Sequence, residues 1–210
     1  MPATRPTQIH QLKITLKGAK PPIWRRVLVP SDLTLDVLHE VIQIAMGWTD
    51  SHLHHFLAKG RVYGIPDDKF GFEFDLKDEA EVKLMDLLRK EKDSMRYDYD
   101  FGDGWEHQIL VEKVLPFDET QTLPLCIKGK RACPPEDCGG IWGYAQLLRT
   151  LADPSDPQHK DVLEWVGGQI DPEAFDLDDT NEALSALRPT GWRASRGLDH
   201  NADHEGTGRA

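Results

Sequence analysis

Residues 97–107 constrain the fold of this chain more than any other segment. Two stretches that alternate in hydrophobicity, residues 95–101 and 105–114, flank a Gly-Asp-Gly sequence at residues 102–104. Such alternation is typical of half-buried strands, and a short glycine-rich connection is typical of an antiparallel hairpin. The chain is therefore predicted to contain a sheet with antiparallel pairing.

Two registers of this hairpin are open, and they place different side chains opposite His107. A three-residue loop uses Gly104 in the left-handed conformation of a bulged turn. The cross-strand pairs in that register are Phe101 with Trp105 and Tyr99 with His107. A two-residue loop of Asp103 and Gly104 instead puts Asp100 opposite His107, where it could orient the imidazole.

The apolar pattern favours the three-residue loop, because a slip of one residue exchanges the two faces of a strand. One face then carries aromatic side chains with His107, Ile109 and Val111, and the other carries Asp98, Asp100 and Glu106. Since aspartate is disfavoured in strands, Asp98 and Asp100 are expected to meet solvent, a basic partner or a cation.

Strand-like segments precede helix-like ones along the rest of the chain. Strands are predicted at residues 9–16, 23–29, 53–58 and 61–64, and helices at residues 35–46, 84–88, 144–151, 161–166 and 180–187. Residues 116–140, rich in proline and glycine, are predicted to form a loop.

This order, without a regular βαβ repeat, predicts an α+β fold. We expect a single domain at residues 1–188, with an antiparallel sheet that includes an N-terminal hairpin, one early helix and several C-terminal helices. Residues 189–210 are polar and lack an apolar period, which predicts a flexible tail.

Charge is distributed unevenly along the chain. The 210 residues carry a net charge of −11, yet residues 1–31 contain six basic residues and no acidic one. This basic arm either packs beside acidic segments of the same fold or follows the phosphates of a nucleic acid, with Arg25 and Arg26 among its cations. The negative net charge opposes the second interpretation.

The cellular compartment is predicted from what the sequence lacks. No apolar run approaches the ~20 residues of a membrane helix, and the first eight residues are polar, without the apolar stretch of a secretory signal. We therefore expect a cytoplasmic protein without a membrane partner.

The three cysteines, Cys126, Cys133 and Cys138, have the spacing C-x6-C-x4-C. An odd number of cysteines in a reducing compartment argues against a disulfide framework. Thiolates a few residues apart in a bendable loop suit zinc, with His107 or His52 as the fourth ligand. The alternative is that the thiols pack as small apolar side chains.

Histidines cluster at residues 52–56. Strand alternation would place His52, His54 and Phe56 on one side and His55 on the other. Two histidines two positions apart in a strand can share a metal ion, or they can form the polar rim of a half-buried strand. Both interpretations remain open from the sequence.

Several enzyme classes are excluded by missing motifs. The chain has no phosphate-binding G-x-x-x-x-G-K-[ST], no dinucleotide-binding G-x-G-x-x-G, no G-x-S-x-G and no H-E-x-x-H. The sequence therefore gives no support to a P-loop, Rossmann, α/β-hydrolase or zincin assignment.

Six motifs follow one another along the chain: Pro22-Ile23-Trp24-Arg25-Arg26, Leu38-His39, Met46-Gly47-Trp48, His52-Leu53-His54-His55-Phe56, residues 97–107, and Cys133-Pro134-Pro135-Glu136-Asp137-Cys138-Gly139-Gly140. In this combination the chain resembles the plasmid pRiA4b ORF-3-like family over residues 8–187. The resemblance implies a single α+β domain of roll-like character, encoded on plasmids, as an insertion-sequence passenger or in chromosomes, without an established reaction.

By analogy, the signature residues of the family fall on His52, Asp100, Gly102, Asp103, Trp105, His107, Cys133 and Cys138. Some relatives carry a resolvase-like label, which the acidic composition of this chain does not support.

We expect the motif segments to converge on one concave patch. The candidate polar site consists of His52, His54, Asp100, Asp103, Trp105, His107, Arg25 and Arg26. The first functional hypothesis is a non-enzymatic binding or accessory module of a mobile element, with structural zinc.

Two other functions compete with this hypothesis. The first is a metal-dependent hydrolase or nuclease that uses His52, Asp100 or Asp103, and His107 as ligands, with Glu106 or Glu136 as the base. The second is nucleic-acid binding through the basic N-terminal hairpin. A closed four-ligand metal site would indicate a structural role, whereas an open position lined by carboxylates would indicate catalysis.

Overall fold

A computed structural model describes residues 8–66, 76–118 and 120–187. Within them, eight strands form one sheet in the order β5-β4-β3-β6-β7-β1-β2-β8. The strands are β1 Gln8–Leu16, β2 Ile23–Pro30, β3 His54–Ala58, β4 Arg61–Gly64, β5 Leu76–Asp78, β6 Ser94–Tyr99, β7 Trp105–Pro116 and β8 Leu125–Lys130. All neighbouring pairs are antiparallel except β4 and β5. The predicted α+β class is confirmed.

The N-terminal hairpin forms as predicted. β1 and β2 pair from Leu16 opposite Ile23 to Ile9 opposite Pro30. The alternation that predicted β1 decides which side chains are inside, since Leu12 and Ile14 are buried while Lys13 between them is partly exposed. β1 also pairs with β7, and the hairpin therefore lies inside the sheet, between β7 and the edge strand β8.

The early helix, α1, spans Leu35–Met46. It ends at Gly47, whose backbone is left-handed (φ +84°) and whose N–H donates to the carbonyl oxygens of Gln43 and Ile44. Glycine adopts this conformation without the steric penalty of a Cβ atom. The local sequence thus determines both the helix and its end.

The C-terminal helices are α3 Gly140–Ala152, α4 His159–Trp165 and α5 Leu177–Ala186, and a single turn, α2, spans Leu84–Leu87. One continuous core joins buried residues of the strands with Leu38 of α1, Leu147 of α3 and Leu184 of α5. The predicted tail at 189–210 lies outside the described residues. None of the described helices is long and apolar enough to cross a membrane.

Within its strands the β6–β7 hairpin has the predicted faces, but it has neither predicted register. In the loop, Asp100 is buried and Phe101 is 47% exposed, the reverse of their predicted sides. Tyr99 pairs with Trp105 and Tyr97 with His107, so the loop contains five residues, Asp100–Gly104. Asp100 is left-handed (φ +53°), and its carbonyl oxygen accepts a hydrogen bond from Gly104 N–H at 2.6 Å. The Asp100 carboxylate accepts hydrogen bonds from N–H groups inside the loop and so stabilises it, which apolar alternation cannot predict.

The loop predicted at residues 116–140 contains a strand, β8, and that prediction is wrong. β8 pairs with β2 across a register shift between Arg26 and Val27. On the other edge of β8, the side-chain amide of Asn181 in α5 forms two hydrogen bonds with the backbone of Cys126. It accepts from the Cys126 N–H at 2.8 Å and donates to the Cys126 carbonyl oxygen at 2.9 Å. Pairing with distant partners therefore overrides the loop-like composition.

Candidate functional site

Two buried histidines stack against each other where α1 meets β3. The ring centroids of His39 and His54 lie 3.5 Å apart, and the ring planes are within 5° of parallel. His39 lies on the buried side of α1, and His54 shares the inward face of β3 with Phe56. Neighbouring elements thus bring together two imidazoles that are separated in sequence.

Hydrogen bonds fix both nitrogens of His39. Nδ1 lies 2.8 Å from the Tyr97 hydroxyl, which also accepts from the Gln43 amide at 2.9 Å. Burial raises the pKa of Tyr97 well above its usual value, so this hydroxyl keeps its proton. Nε2 lies 2.8 Å from Oδ1 of Asp50, a left-handed residue (φ +56°) at the exposed edge of the cluster.

His54 faces a buried carboxylate. Its Nε2 lies 3.0 Å from both carboxylate oxygens of Glu79, which belongs to a short 3-10 helix, Glu79–Glu81. Both side chains are at least 96% buried. A carboxylate removed from water requires a hydrogen-bonding or cationic partner, and in this structure His54 fills that role.

The stacked pair opens into a cavity of about 340 Å³. Its walls include five carboxylates, from Asp36, Glu40, Asp50, Asp78 and Glu79. The described part of these walls contains no lysine or arginine. Two cavities of about 550 and 610 Å³ lie elsewhere, but their described walls contain no histidine. The smaller cavity is therefore the one of these three whose described walls combine histidine with carboxylates.

Burial keeps His39 neutral at physiological pH. Its pKa is lowered to about 4, first by desolvation and then by the nearby imidazole of His54, although Asp50 acts in the opposite direction. A neutral imidazole has a free lone pair on one nitrogen, which is the form that binds a metal ion.

One ligand atom from each of His39, Asp50 and His54 lies within 4.8 Å of the other two. Two imidazole nitrogens and a carboxylate oxygen form a common zinc ligand set, with bond lengths near 2.0–2.2 Å. Because donors on one ion must lie a few ångströms apart, this spacing fits a shared metal ion. The three residues therefore supply the donor types of a transition-metal site, and the two nearly parallel rings would have to tilt for lone pairs in both ring planes to point at one ion.

Three predicted site residues meet at a second place, which we call the His52 corner (His52, Asp100, Asp103 and Asp137). His52 Nε2 lies 3.1 Å from Asp137 Oδ1 and 3.7 Å from Asp100 Oδ2. The Asp103 carboxylate accepts a hydrogen bond from Gly139 N–H at 3.1 Å. The structure thus brings together His52, the β6–β7 loop and the segment after β8.

Glu136, predicted as a candidate base, instead ties two loops together. Its carboxylate accepts from the Tyr99 hydroxyl and from both N–H and Oγ1–H of Thr49. Burial acts to raise the pKa of Glu136, but these hydrogen bonds outweigh it and hold the pKa below its usual value. A carboxylate occupied in this way is poorly suited to accept a substrate proton.

Arg25 and Arg26 do not enter the predicted polar site. Neighbouring strand residues face opposite sides of a sheet, so the two guanidinium groups separate. Arg25 is buried, donates to the carbonyl oxygen of Ala45 at 2.7 Å and lies 4.1 Å from the Phe175 ring centroid. Arg26 forms a two-point pair with Glu112, at 2.5 and 2.8 Å. Both have structural partners.

His107 and Trp105 belong to the aromatic core. His107 is fully buried, with Nδ1 3.1 Å from the Trp105 carbonyl oxygen and its ring between those of Trp48 and Tyr97. Desolvation lowers the pKa of His107 to about 4. Its placement excludes contact with a soluble ligand, and neither side chain joins His52 or His54 as a site.

The predicted four-ligand zinc centre does not assemble. No three of Cys126, Cys133, Cys138 and His107 bring their ligand atoms within 4.8 Å of one another in the described chain. Cys126 is fixed in β8, and Cys133 Sγ lies 3.5 Å from the sulfur of Met46. Burial raises the pKa of Cys133 to about 11, and burial followed by Asp103 raises that of Cys138 to about 12. These thiols are packed and protonated.

Of the residues around this cavity, the sequence predicts His54 as a site residue but not His39, Asp50 or Glu79. One signal was present: His39 lies among Leu35, Leu38 and Ile42 on the apolar face of the predicted helix. A histidine on such a face needs a polar partner inside the fold. No comparable local signal marks Glu79.

The fold and the cavity define a one-domain α+β protein with a buried histidine–carboxylate cluster. The chain belongs to the plasmid pRiA4b ORF-3-like family, whose model matches residues 8–179. It is 39% identical over 193 residues to the uncharacterised protein y4hQ of Sinorhizobium fredii, covering 90% of this chain and 96% of that protein.

A solved structure has the same fold. The crystal structure of a protein of unknown function from Methanosarcina mazei Go1 matches with a TM-score of 0.74 and 38% sequence identity. The match covers 82% of this chain and 96% of that chain. These relatives confirm the fold and the family, and their names assign no reaction.

Proposed function

We propose that the protein binds a divalent transition-metal ion, zinc foremost, through His39, Asp50 and His54, and that the ion and its cavity form the binding site for a small ligand. The observation that carries this proposal is the convergence of three donor atoms within 4.8 Å of one another beside an open cavity. This is a binding module with metal, as the sequence suggested, but with different ligands.

The surroundings of the cluster support metal binding. Histidine ligands usually donate their second ring nitrogen to a fixed partner, which sets the orientation of the ring. The Tyr97 hydroxyl, 2.8 Å from Nδ1 of His39, can accept that hydrogen bond. Glu79 lies against His54 and supplies negative charge that favours a cation.

The charge of the cavity selects the ligand class. Five carboxylates far exceed the charge of one divalent ion, so phosphate groups are repelled and neutral or cationic molecules are favoured. Nuclease activity at this site is therefore disfavoured. The basic hairpin adds little support for nucleic-acid binding, because Arg25 is buried and Arg26 is neutralised by Glu112.

Metal-dependent hydrolysis is the second candidate function. The observation that favours it is the ligand count, because three protein ligands beside a cavity leave a coordination position for water. A zinc-bound water has a pKa near 7 and can act as a nucleophile. A structural zinc site would instead have four protein ligands.

Metal analysis of the purified full-length chain tests the binding proposal. After stripping and reloading, we expect about one zinc ion per chain, measured by mass spectrometry and by competition with a chromophoric chelator. Because each removes a ligand, His39→Gln and His54→Gln should weaken zinc binding by more than the roughly 10–100-fold typical of lost outer partners. His55→Gln is the matched control, since His55 faces outward and pairs with Asp98 at 2.9 Å.

Zinc binding that is equal in His54→Gln and His55→Gln would refute the proposed site. For hydrolysis, the zinc-loaded chain is assayed on cationic, neutral and phosphorylated chromogenic substrates. Turnover of the cationic and neutral substrates by the wild type, together with its absence in His54→Gln, supports a hydrolase. Zinc binding without turnover leaves the binding module as the function.

A further inference from the structure

The His52 corner gathers donor atoms from three separate parts of the chain. His52 lies between α1 and β3, Asp100 begins the β6–β7 loop, and Asp137 follows β8. One ligand atom from each lies within 4.8 Å of the other two. The fold therefore creates a second candidate metal-ligand set, separate in its residues from His39, Asp50 and His54.

Hydrogen bonding leaves the relevant atoms of this set unused. Asp100 Oδ1 accepts from Gly102 N–H at 2.9 Å and from Asp103 N–H at 3.3 Å, whereas Oδ2 faces His52. His52 Nε2 is buried and has no hydrogen-bond partner among the described residues, although Asp137 Oδ1 is only 3.1 Å away. A buried imidazole nitrogen without a partner is unfavourable, and a metal ion would satisfy it.

The charge at the corner also favours a cation. The Asp100 side chain is 92% buried, and within the described chain neither Asp100 nor Asp137 forms an ion pair with lysine or arginine. Two carboxylates held beside a single imidazole leave negative charge uncompensated when the histidine is neutral. The Asp137 side chain is 69% exposed, so an ion could reach the site from solvent.

The supporting structure holds these residues in place without the ion. Asp103 binds the N–H of Gly139, and a Cβ atom on Gly140 would lie 2.3 Å from the Asp103 carbonyl oxygen. Glu136 joins the same segment to Thr49. A site on elements fixed by such contacts needs little rearrangement to bind a ligand.

We propose that His52, Asp100 and Asp137 bind a second divalent cation, which fastens the β6–β7 loop to the segment after β8. One nitrogen and two carboxylate oxygens, with water completing the shell, suit an oxygen-preferring ion such as Mn²⁺. The cation would cross-link the segment after α1, the β6–β7 loop and the segment after β8, which already meet through packing and hydrogen bonds.

Two histidines of similar exposure provide a matched test. His52 and His55 are 27% and 25% exposed, and each lies beside an aspartate, Asp137 at 3.1 Å and Asp98 at 2.9 Å, but only His52 belongs to a ligand set. Binding of Mn²⁺ to the full-length chain is measured by loss of the free-ion electron paramagnetic resonance signal, with zinc present at one equivalent. Circular dichroism verifies that each variant is folded.

We expect one Mn²⁺ per zinc-loaded wild-type chain, at least tenfold weaker binding in His52→Gln, and near-wild-type binding in His55→Gln. Asp137→Asn should reproduce the loss if His52→Gln fails to fold. The absence of Mn²⁺ binding to the wild type up to millimolar concentration overturns the proposal. So does equal Mn²⁺ binding by His52→Gln and His55→Gln, which would place the ion outside the His52 corner and leave the proposed function intact.

Discussion

In the cysteine segment the candidate metal ligands are close in sequence, whereas in the His39 cavity they are close in space. Cys126, Cys133 and Cys138 lie within thirteen consecutive residues, yet their thiols do not meet. His39 and His54 come from a helix and a strand, and their rings are in contact. Spacing predicts a shared ion only where the chain between the ligands is free to bend, and β8 removes that freedom from Cys126.

Burial has opposite consequences for the two kinds of ligand. Desolvation favours the neutral form of any ionisable group. For Cys133 the neutral form is the thiol, and its pKa of about 11 means that a metal ion would have to displace a firmly held proton. For His39 the neutral form is the metal-binding one, and its pKa of about 4 keeps it available. The same physical effect therefore disfavours metal binding at the cysteines and favours it in the cavity.

The largest expected effect on stability comes from a substitution that disturbs the backbone packed around Cys138. A Cβ atom on Gly143 would lie 1.8 Å from the Cys138 carbonyl oxygen. We expect Gly143→Ala to lower the free energy of unfolding by about 4 kcal/mol, at the upper end for overpacking. Gly167→Ala is the control, since it meets nothing within 4 Å and adds only left-handed strain (φ +75°) of about 1–2 kcal/mol. Urea unfolding measures both, and equal losses would contradict the packing explanation.

Acid should destabilise the fold through buried neutral histidines, even without metal. The pKa of His107 is about 4 in the folded protein and 6.5 when unperturbed. Between these values the unfolded chain binds the additional proton, so stability falls as pH falls from 6.5 to 4 and is unaffected above 6.5. At pH 4, the loss in the free energy of unfolding that is due to His107 should reach about 3 kcal/mol.

This acid dependence is measured by urea unfolding at a series of pH values in the presence of a chelator. His107→Gln removes one titrating group, and the slope between pH 4 and 6.5 should decrease by about 1.4 kcal/mol per pH unit. His39 should maintain a residual slope, since its pKa is also about 4. An unchanged slope in the variant would show that His107 titrates normally.

Zinc should stabilise the protein through the cavity and not through the cysteines. At a free zinc concentration of 100 Kd, binding adds about 2.7 kcal/mol to the free energy of unfolding. We expect this gain in the wild type and in Cys138→Ser, and its loss in His54→Gln. The reverse outcome, with the gain lost in Cys138→Ser, would restore the zinc centre predicted from the sequence.

The smallest effect is expected for a thiol that only packs. Cys126 is 1% exposed, and its sulfur contacts the Lys128 carbonyl oxygen at 3.7 Å. Cys126→Ser should cost about 1–2 kcal/mol because a more polar group is buried, and Cys126→Ala provides the apolar comparison. Zinc affinity should remain at the wild-type value in both variants, as measured by chelator competition.

The sequence predicts those parts of the fold that depend on neighbouring residues. Alternation identifies the N-terminal hairpin and the buried face of β6 and β7, while helical spacing with Gly47 identifies α1. These signals are local because backbone hydrogen bonds, caps and side-chain periodicity connect residues a few positions apart. The motifs likewise identified the family that the comparisons confirm.

Tertiary structure alone decides which side chains share a site. The β6–β7 loop is two residues longer than predicted, with the Asp100 carboxylate inside it. Pairing with β2 makes part of the proline-rich segment a strand, β8. Glu79 meets His54 only after β3 and the 3-10 helix are in place. Strand order and helix packing set these contacts, and their energies depend on burial, which no short stretch of sequence determines. The sequence therefore determines the elements and their faces, while the packing of distant elements positions the proposed metal ligands and sets their protonation.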